Sequence, residues 1–381
     1  SDVFSSDLDA EMLQAVDWHA VILDEAQNIK NPNSKQTRAV RQMQADYRLA
    51  LTGTPVENRL SELWSIMHFL NPGYLYSKQE FRERFGLPIE RFGDQEATEK
   101  LRKLVAPFIL RRLKTDPNVI TDLPEKIELK EYCNLSEEQA ALYEATVQNT
   151  MQQVSDSEGM ARRGLVLKLL MQLKQICNHP VQFEHEVEEA IKNRSMIPGR
   201  SGKLKRLEER LELILSAGER VLLFTQFASM GHLLNNYLPE RMGYSAQFLY
   251  GGTALWQREE MVRHFQEDAN GPQIFILSLR AGGTGLNLTR ATHVIHFDRW
   301  WNPAVENQAT DRTFRIGQHK NGLVHKFVTR WTIEERIDRL IEEKKELAED
   351  VLSGSGEIKL TELPDDEILD LVSLDVNRAF G

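Results

Sequence analysis

The strongest constraint on the fold is an alternation in the second half of the chain. Segments with helical period at 203–217, 229–238 and 254–268 separate short apolar runs at 220–225, 245–250, 273–279, 292–298 and 322–328. Short continuous apolar runs mark strands buried on both faces. Strands that alternate with crossover helices demand a parallel sheet with helices packed on it. The predicted class is therefore α/β, built on doubly wound parallel sheets. Such sheets gather ligands at the carboxyl ends of their strands, so the residues that follow each run are the place to look for chemistry.

In the first half, Ala20-Val21-Ile22-Leu23 reads as one more strand buried on both faces, and Asp24-Glu25 closes it. In a nucleoside-triphosphate site the first acid of such a pair holds Mg²⁺ through its water shell, and the second orients or deprotonates the attacking water. Leu49-Ala50-Leu51 is a second short strand, followed by Thr52-Gly53-Thr54-Pro55, whose hydroxyls and flexible glycine can relay nucleotide state. Ile274–Leu277 leads into Ser278-Leu279-Arg280-Ala281-Gly282-Gly283-Thr284-Gly285-Leu286-Asn287. Its glycines leave backbone N–H groups free to approach phosphates.

The last string is Asn307–Gln318, where Gln308, Arg312 and Arg315 share one helical stripe. Asn302-Pro303 suits a helix start and Gly317 a helix stop. Two forked, permanently charged guanidiniums on one helix can grip phosphate oxygens. The alternative is a surface helix on which they pair with Glu306 and Asp311.

Together these strings resemble the SWI/SNF-type ATPases, a branch of helicase superfamily two. The motifs occur in family order: DEAQ at 24–27, LTGTP at 51–55, LRRLK at 110–114, LLFTQF at 222–227, SLRAGGTGLNL at 278–288, DRWWNP at 298–303 and NQATDRTFRIGQ at 307–318. The resemblance runs from about Val16 to Leu352 and has a prokaryotic look. It implies RecA-like lobes, ATP and Mg²⁺, and translocation on double-stranded DNA that remodels or displaces DNA-bound protein complexes. Asp24, Glu25, Gln308, Arg312 and Arg315 become the implied catalytic set, with Asp24 on Mg²⁺ through water. Gln27, Gly283, Gly285 and Asn287 become nucleotide contacts. Thr52, Gly53, Arg111, Arg112, Gln226, Ser278 and Trp301 become nucleic-acid contacts, with core packing as the alternative for Trp301 and Trp300 left unassigned.

The family's phosphate-binding loop, G-x-x-x-x-G-K-[ST], occurs nowhere in the 381 residues. The expectation is a chain that begins inside the first lobe and, on its own, turns over ATP poorly. A rival reading is a non-catalytic DNA-binding or regulatory module. A second is a strand-separating helicase, against which the RIGQ ending and the helical insertions argue.

A net charge of −10 looks wrong for a nucleic-acid partner until it is localised. Residues 334–381 hold 15 acidic and six basic side chains, a net of −9, which leaves −1 for residues 1–333. Residues 100–114 carry Lys100, Arg102, Lys103, Arg111, Arg112 and Lys114 without an acid, and Arg200, Lys203, Lys205 and Arg206 make a second basic run. Such stripes can hold a phosphate backbone, while internal carboxylates are the competing partners for Arg111 and Arg112. The acidic tail reads as a solvated face. Cys133 and Cys177 are too few for a disulfide framework, so a reducing, cytoplasmic setting is expected, nucleoid-associated in a prokaryote. No apolar run reaches the length of a membrane span, and Cys177-Asn178-His179 offers too few ligands for a metal site.

The expected organisation is a remainder of the first lobe at 1–125 and a helical insertion with linker at 126–200. The second lobe follows at 201–333, then a brace helix and acidic tail at 334–381. Ser136 with Gln139 predicts a capping box. Ser155–Gly159 should break one long helix into two, and Pro364–Leu374 should form a small amphipathic helix.

Overall fold

The computed structural model describes residues 7–52, 60–110, 126–279, 286, 288–300, 303–311, 322–349 and 364–374. The chain divides into two compact units, residues 1–119 with 342–358 and residues 120–341 with 359–381.

The first unit opens with α1 (Asp7–Gln14), β1 (Trp18–Leu23), a 3₁₀ turn at Ala26–Ile29, α2 (Lys35–Gln42) and β2 (Ala45–Ala50). It continues through α3 (Leu60–Leu70), α4 (Lys78–Phe81), a π turn at Arg82–Gly86, α5 (Leu87–Phe92) and α6 (Gln95–Val105). Local chemistry sets these boundaries. Ser34 accepts the Thr37 N–H at the start of α2, and Ser77 with Glu80 forms a capping box ahead of α4. A 3₁₀ turn at Ala106–Phe108, with Pro107 inside it, ends the helical run.

β1 and β2 are parallel, with Ile22 beside Leu49 and Leu23 beside Ala50. One face of the pair packs on Ile29, Val40, Met43, Ile66 and Phe69. The other is bare: Ile22 is 61% and Leu49 51% exposed. The expectation that the 20–23 run is buried on both faces is therefore corrected. Burial on both faces needs a covering layer on each side, and among the described residues only one is present.

The second unit begins with β3 (Lys126–Cys133), α7 (Glu137–Ser155), α8 (Gly159–Asn178), α9 (Pro180–Phe183) and α10 (Val187–Lys192). Then come α11 (Gly202–Ser216), β4 (Val221–Thr225), α12 (Ala228–Met242), β5 (Ala246–Leu249), α13 (Leu255–Glu267) and β6 (Ile274–Ser278). The remaining elements are β7 (His293–His296), α14 (Pro303–Thr310), β8 (Gly322–Thr329), α15 (Ile333–Glu349) and α16 (Asp365–Val372). Six strands form one sheet in the order β3-β8-β7-β4-β6-β5, every neighbouring pair parallel. This is the predicted doubly wound architecture. β4 and β6 are buried at every residue, because helices cover both faces of the sheet. Leu204, Leu207, Leu211, Met230 and Leu234 pack with Leu223, Ile276 and Ile295 in one core cluster, while Phe265, Leu288 and Ala309 pack with Phe224, Phe275 and Leu277 in another.

Other local expectations hold. Ser136 and Gln139 form the capping box of α7, at 3.1 and 3.0 Å. The break at 155–159 separates α7 from α8, and α16 exists. β3, the strand that precedes the helical segment, lies at the edge of the six-stranded sheet along the full length of β8. The acidic tail is less solvated than expected. Ile368, Leu371 and Val372 of α16 are buried, Asp365 pairs with Arg162 of α8, and Asp370 with Arg336 of α15. An amphipathic helix needs an apolar seat, and α7 supplies it.

Candidate nucleotide and nucleic-acid sites

The first unit places the acidic pair where the sequence expects it, directly after β1. Leu51 N–H donates to Leu23 O at 2.8 Å and Ala26 N–H to Leu51 O at 2.9 Å, so the two strand ends stay joined past the sheet. Glu25 sits in the left-handed region, at φ 51° and ψ 52°, uncommon for a residue with a side chain and characteristic of functional turns. Its N–H donates to Asp24 Oδ1 at 2.9 Å. Asp24 is exposed and Glu25 half-buried.

Gln27 connects this pair to Thr52. Its Nε2 donates to Glu25 Oε2 at 2.7 Å, and its Oε1 accepts from Thr52 Oγ1 at 2.8 Å. The amide thus donates to the carboxylate on one side and accepts from the hydroxyl on the other. The arrangement fits a hydrated Mg²⁺: an exposed carboxylate at the carboxyl end of parallel strands, beside a second one aimed by a hydrogen bond. Among the described residues there is no cluster of three or more His, Cys, Asp or Glu that could hold a metal directly.

In the second unit the residues that follow the strands form a buried polar network. Asp298, after β7, is wholly buried and accepts from Thr225 Oγ1 at 2.6 Å, Gln226 N–H at 2.8 Å and Asn178 Nδ2 at 3.1 Å. Burial pushes its carboxyl above the usual range, opposed by Lys174 and Lys203. Lys174, on α8, donates to Gln226 Oε1 at 3.0 Å and to the Arg299 carbonyl. Burial lowers its ammonium to about 8, against the pull of Asp298. Lys203 donates to Glu334 at 2.5 Å and to Asn178 Oδ1 at 3.1 Å.

The sequence-predicted residues divide accordingly. Asp24, Glu25, Gln27 and Thr52 come together. Gln226 and Ser278 close β4 and β6, Gln226 half-buried against Lys174 and Ser278 buried. Position 308 lies on α14. Gly53, Arg111, Arg112, Gly283, Gly285, Asn287, Trp301, Arg312 and Arg315 lie outside the described residues. Trp300 packs against the core cluster of Phe224 and Phe275.

Two expectations are corrected, and a third, the 100–114 stripe, lies partly outside the described residues. The basic run at 200–206 is mostly internal wiring: Arg200 pairs with Glu138 and Glu184, Lys203 with Glu334, and Arg206 with Glu131 and Glu209. Only Lys205 is exposed and outside this set. In the 100–114 stripe, Lys100 pairs with Glu96 and Arg102 with Glu99, acids just upstream of the window. Glu306 is no surface partner for the arginine stripe, because it is buried on Arg299 at 2.9 Å. Sequence reasoning missed Lys174, Asn178, Asp298, Arg299, Glu306 and Asp338 as a group. The only available signal was Asp298-Arg299 following an apolar strand.

Family models agree with this arrangement: an SNF2-related domain matches residues 6–182, and a helicase conserved C-terminal domain matches residues 202–317. YwqA of Bacillus subtilis, a candidate ATP-dependent helicase/translocase, is 46% identical over 369 residues, covering 97% of this chain. A solved SWI2/SNF2 ATPase core from Sulfolobus solfataricus in complex with double-stranded DNA is 43% identical, covers 96% of this chain and 75% of that one, and superposes with a TM-score of 0.57. The chain belongs to the SWI2/SNF2 family. A human SWI/SNF-related, actin-dependent regulator of chromatin is 37% identical over 367 residues. The SWI2/SNF2 chain described here spans 39% of the length of YwqA and 35% of the human relative. No described helix is long and apolar enough to cross a membrane.

Proposed function

We propose that this chain is the greater part of an ATP-driven motor that translocates on double-stranded DNA and displaces or remodels DNA-bound protein complexes. The observation that carries the reading is the Thr52–Gln27–Glu25 relay, which ties the residue suited to orient water to the turn after the neighbouring strand. In this reading Asp24 holds Mg²⁺ through water, and the ion neutralises charge on the phosphate oxygens. Glu25 orients or deprotonates the attacking water. Arg312 and Arg315 stabilise the charge of the transferred phosphoryl group, with Gln308 on the same stripe and Gly283, Gly285 and Asn287 lending backbone contacts. Arginines of this kind contribute roughly 10³–10⁵ in rate.

DNA contacts are assigned to Thr52, Gly53, Arg111, Arg112, Gln226, Ser278 and Trp301. The exposed Lys205 is the remaining free candidate of the second basic run. A cytoplasmic, nucleoid-associated setting suits this work. The 381 residues contain no G-x-x-x-x-G-K-[ST] string, so alone they are expected to hydrolyse ATP poorly. The 43% identity to a core solved on double-stranded DNA supports the duplex as substrate.

The test is steady-state hydrolysis by the full-length protein, with and without blunt duplex. Stimulation by duplex without strand separation is expected; unwinding of a blunt duplex would overturn the translocase reading. Arg315→Ala should remove most turnover and leave ATP affinity nearly unchanged.

A further inference from the structure

Arg299 joins four elements. It follows β7, and its Nε donates to both oxygens of Glu306 on α14, at 2.9 and 3.1 Å. Its Nη1 donates to Asp338 on α15, and its carbonyl accepts from Lys174 on α8. Glu306 Oε1 also accepts the Trp300 N–H at 2.7 Å, and Lys130 of β3 pairs with the second Asp338 oxygen at 2.6 Å. Arg299, Glu306 and Asp338 are all at least 94% buried. One turn on, Thr310 Oγ1 donates to the Glu306 carbonyl at 2.9 Å and accepts from His296 Nε2 at 2.8 Å.

These contacts fix the rotation of α14 about its own axis. Positions 306 and 310 are one turn apart, and both face inward with buried Ala309. At 3.6 residues per turn, position 308 lies about 200° around the helix from 306. Position 308 is thus on the side of α14 opposite the clamp, and the chain runs on from this helix toward Arg312 and Arg315.

We propose that Arg299, Glu306 and Asp338 are positioning residues for hydrolysis: one guanidinium gripping two buried carboxylates sets α14, the helix that directly precedes the phosphoryl-stabilising arginines in the chain, and ties that helix to α15. The proposal rests on the assignment of Arg312 and Arg315 made above. The device needs a planar fork. A lysine keeps the charge but cannot span two carboxylates in fixed directions, so Arg299→Lys separates positioning from simple charge balance.

The experiment measures kcat and KM for ATP, duplex affinity and Tm in the complete protein, for Arg299→Lys, Asp338→Asn and Arg315→Ala. For Arg299→Lys the expected result is a kcat lowered by about 10- to 100-fold, the scale set by misplacing a catalytic group by about 1 Å. KM for ATP and duplex affinity should stay within about twofold, on a protein that still melts cooperatively. Asp338→Asn should move the same way by less, and it carries the test if Arg299→Lys does not fold. If Arg315→Ala keeps full turnover, the arginine assignment itself falls. If Arg315→Ala loses turnover while the soluble clamp variants keep theirs, or lose it only in proportion to the unfolded fraction, the positioning role is overturned.

Discussion

The two units treat the carboxyl ends of their strands in opposite ways. After β1, Asp24 is exposed and Glu25 half-buried; Asp24 accepts the neighbouring Glu25 N–H, and Glu25 accepts from Gln27. After β4 and β7 the charges are sealed: Asp298, Glu306 and Lys174 are at least 98% buried and linked to one another through Gln226 and Arg299. In the functional reading proposed above, similar positions in similar topology serve different ends: charges that would meet a solvated, charged ligand keep access to water, whereas charges that would set the geometry of a helix are taken out of it. A buried ion is tolerated when it is paired and hydrogen-bonded, and Asp298, Glu306 and Lys174 each have such partners, drawn from several elements.

The contrast breaks most sharply at Glu25. In the full-length protein, Glu25→Gln should lower turnover by about 10²–10⁴-fold, the range for removal of a general base, with little change in Tm. Hydrolysis at the wild-type rate would place the chemistry elsewhere. The sealed unit should show the reverse pattern. Lys203→Met leaves Glu334 buried without its partner, and chemical denaturation should register a loss of roughly 3–5 kcal/mol. The double variant Lys203→Met with Glu334→Leu should recover much of that stability. Failure of this recovery would mean that the pair does more than balance charge.

Acid provides the gentlest probe. Burial lowers His179, His293 and His296 to about 4, below their ordinary value near 6.5. The folded form refuses protons that the unfolded chain accepts between these values, so stability is full above about pH 6.5 and declines as pH falls toward 4. Thermal melts across that window should show a falling Tm, and His296→Gln should reduce the slope. A Tm flat from pH 7 to 4.5 would contradict the burial of these rings.

Much of the fold was legible because periodicity reports burial directly. The strands at 221–225 and 274–278 follow from runs that only a sheet covered on both faces can hold, and the Ser136–Gln139 box announces α7. The same logic overreached at Ala20–Leu23, where the strand is real but one face is bare. Charge was the hardest property to read. Lys203 and Arg206 look in sequence like any basic run, and only the arrival of Glu334 and Glu131, from 131 and 75 residues away, makes them internal.

The sequence by itself determined the α/β class, the order of elements and the strand-end placement of Asp24 and Glu25. These depend on local pattern and on the directionality of parallel sheets. Tertiary structure alone decided which charges face water and which lock the scaffold. That choice depends on partners brought together by folding, such as Arg299 with Asp338 across 39 residues and Asn178 with Asp298 across 120. A guanidinium carries the same charge in either setting, and only the surrounding dielectric and its partners distinguish a ligand contact from a clamp.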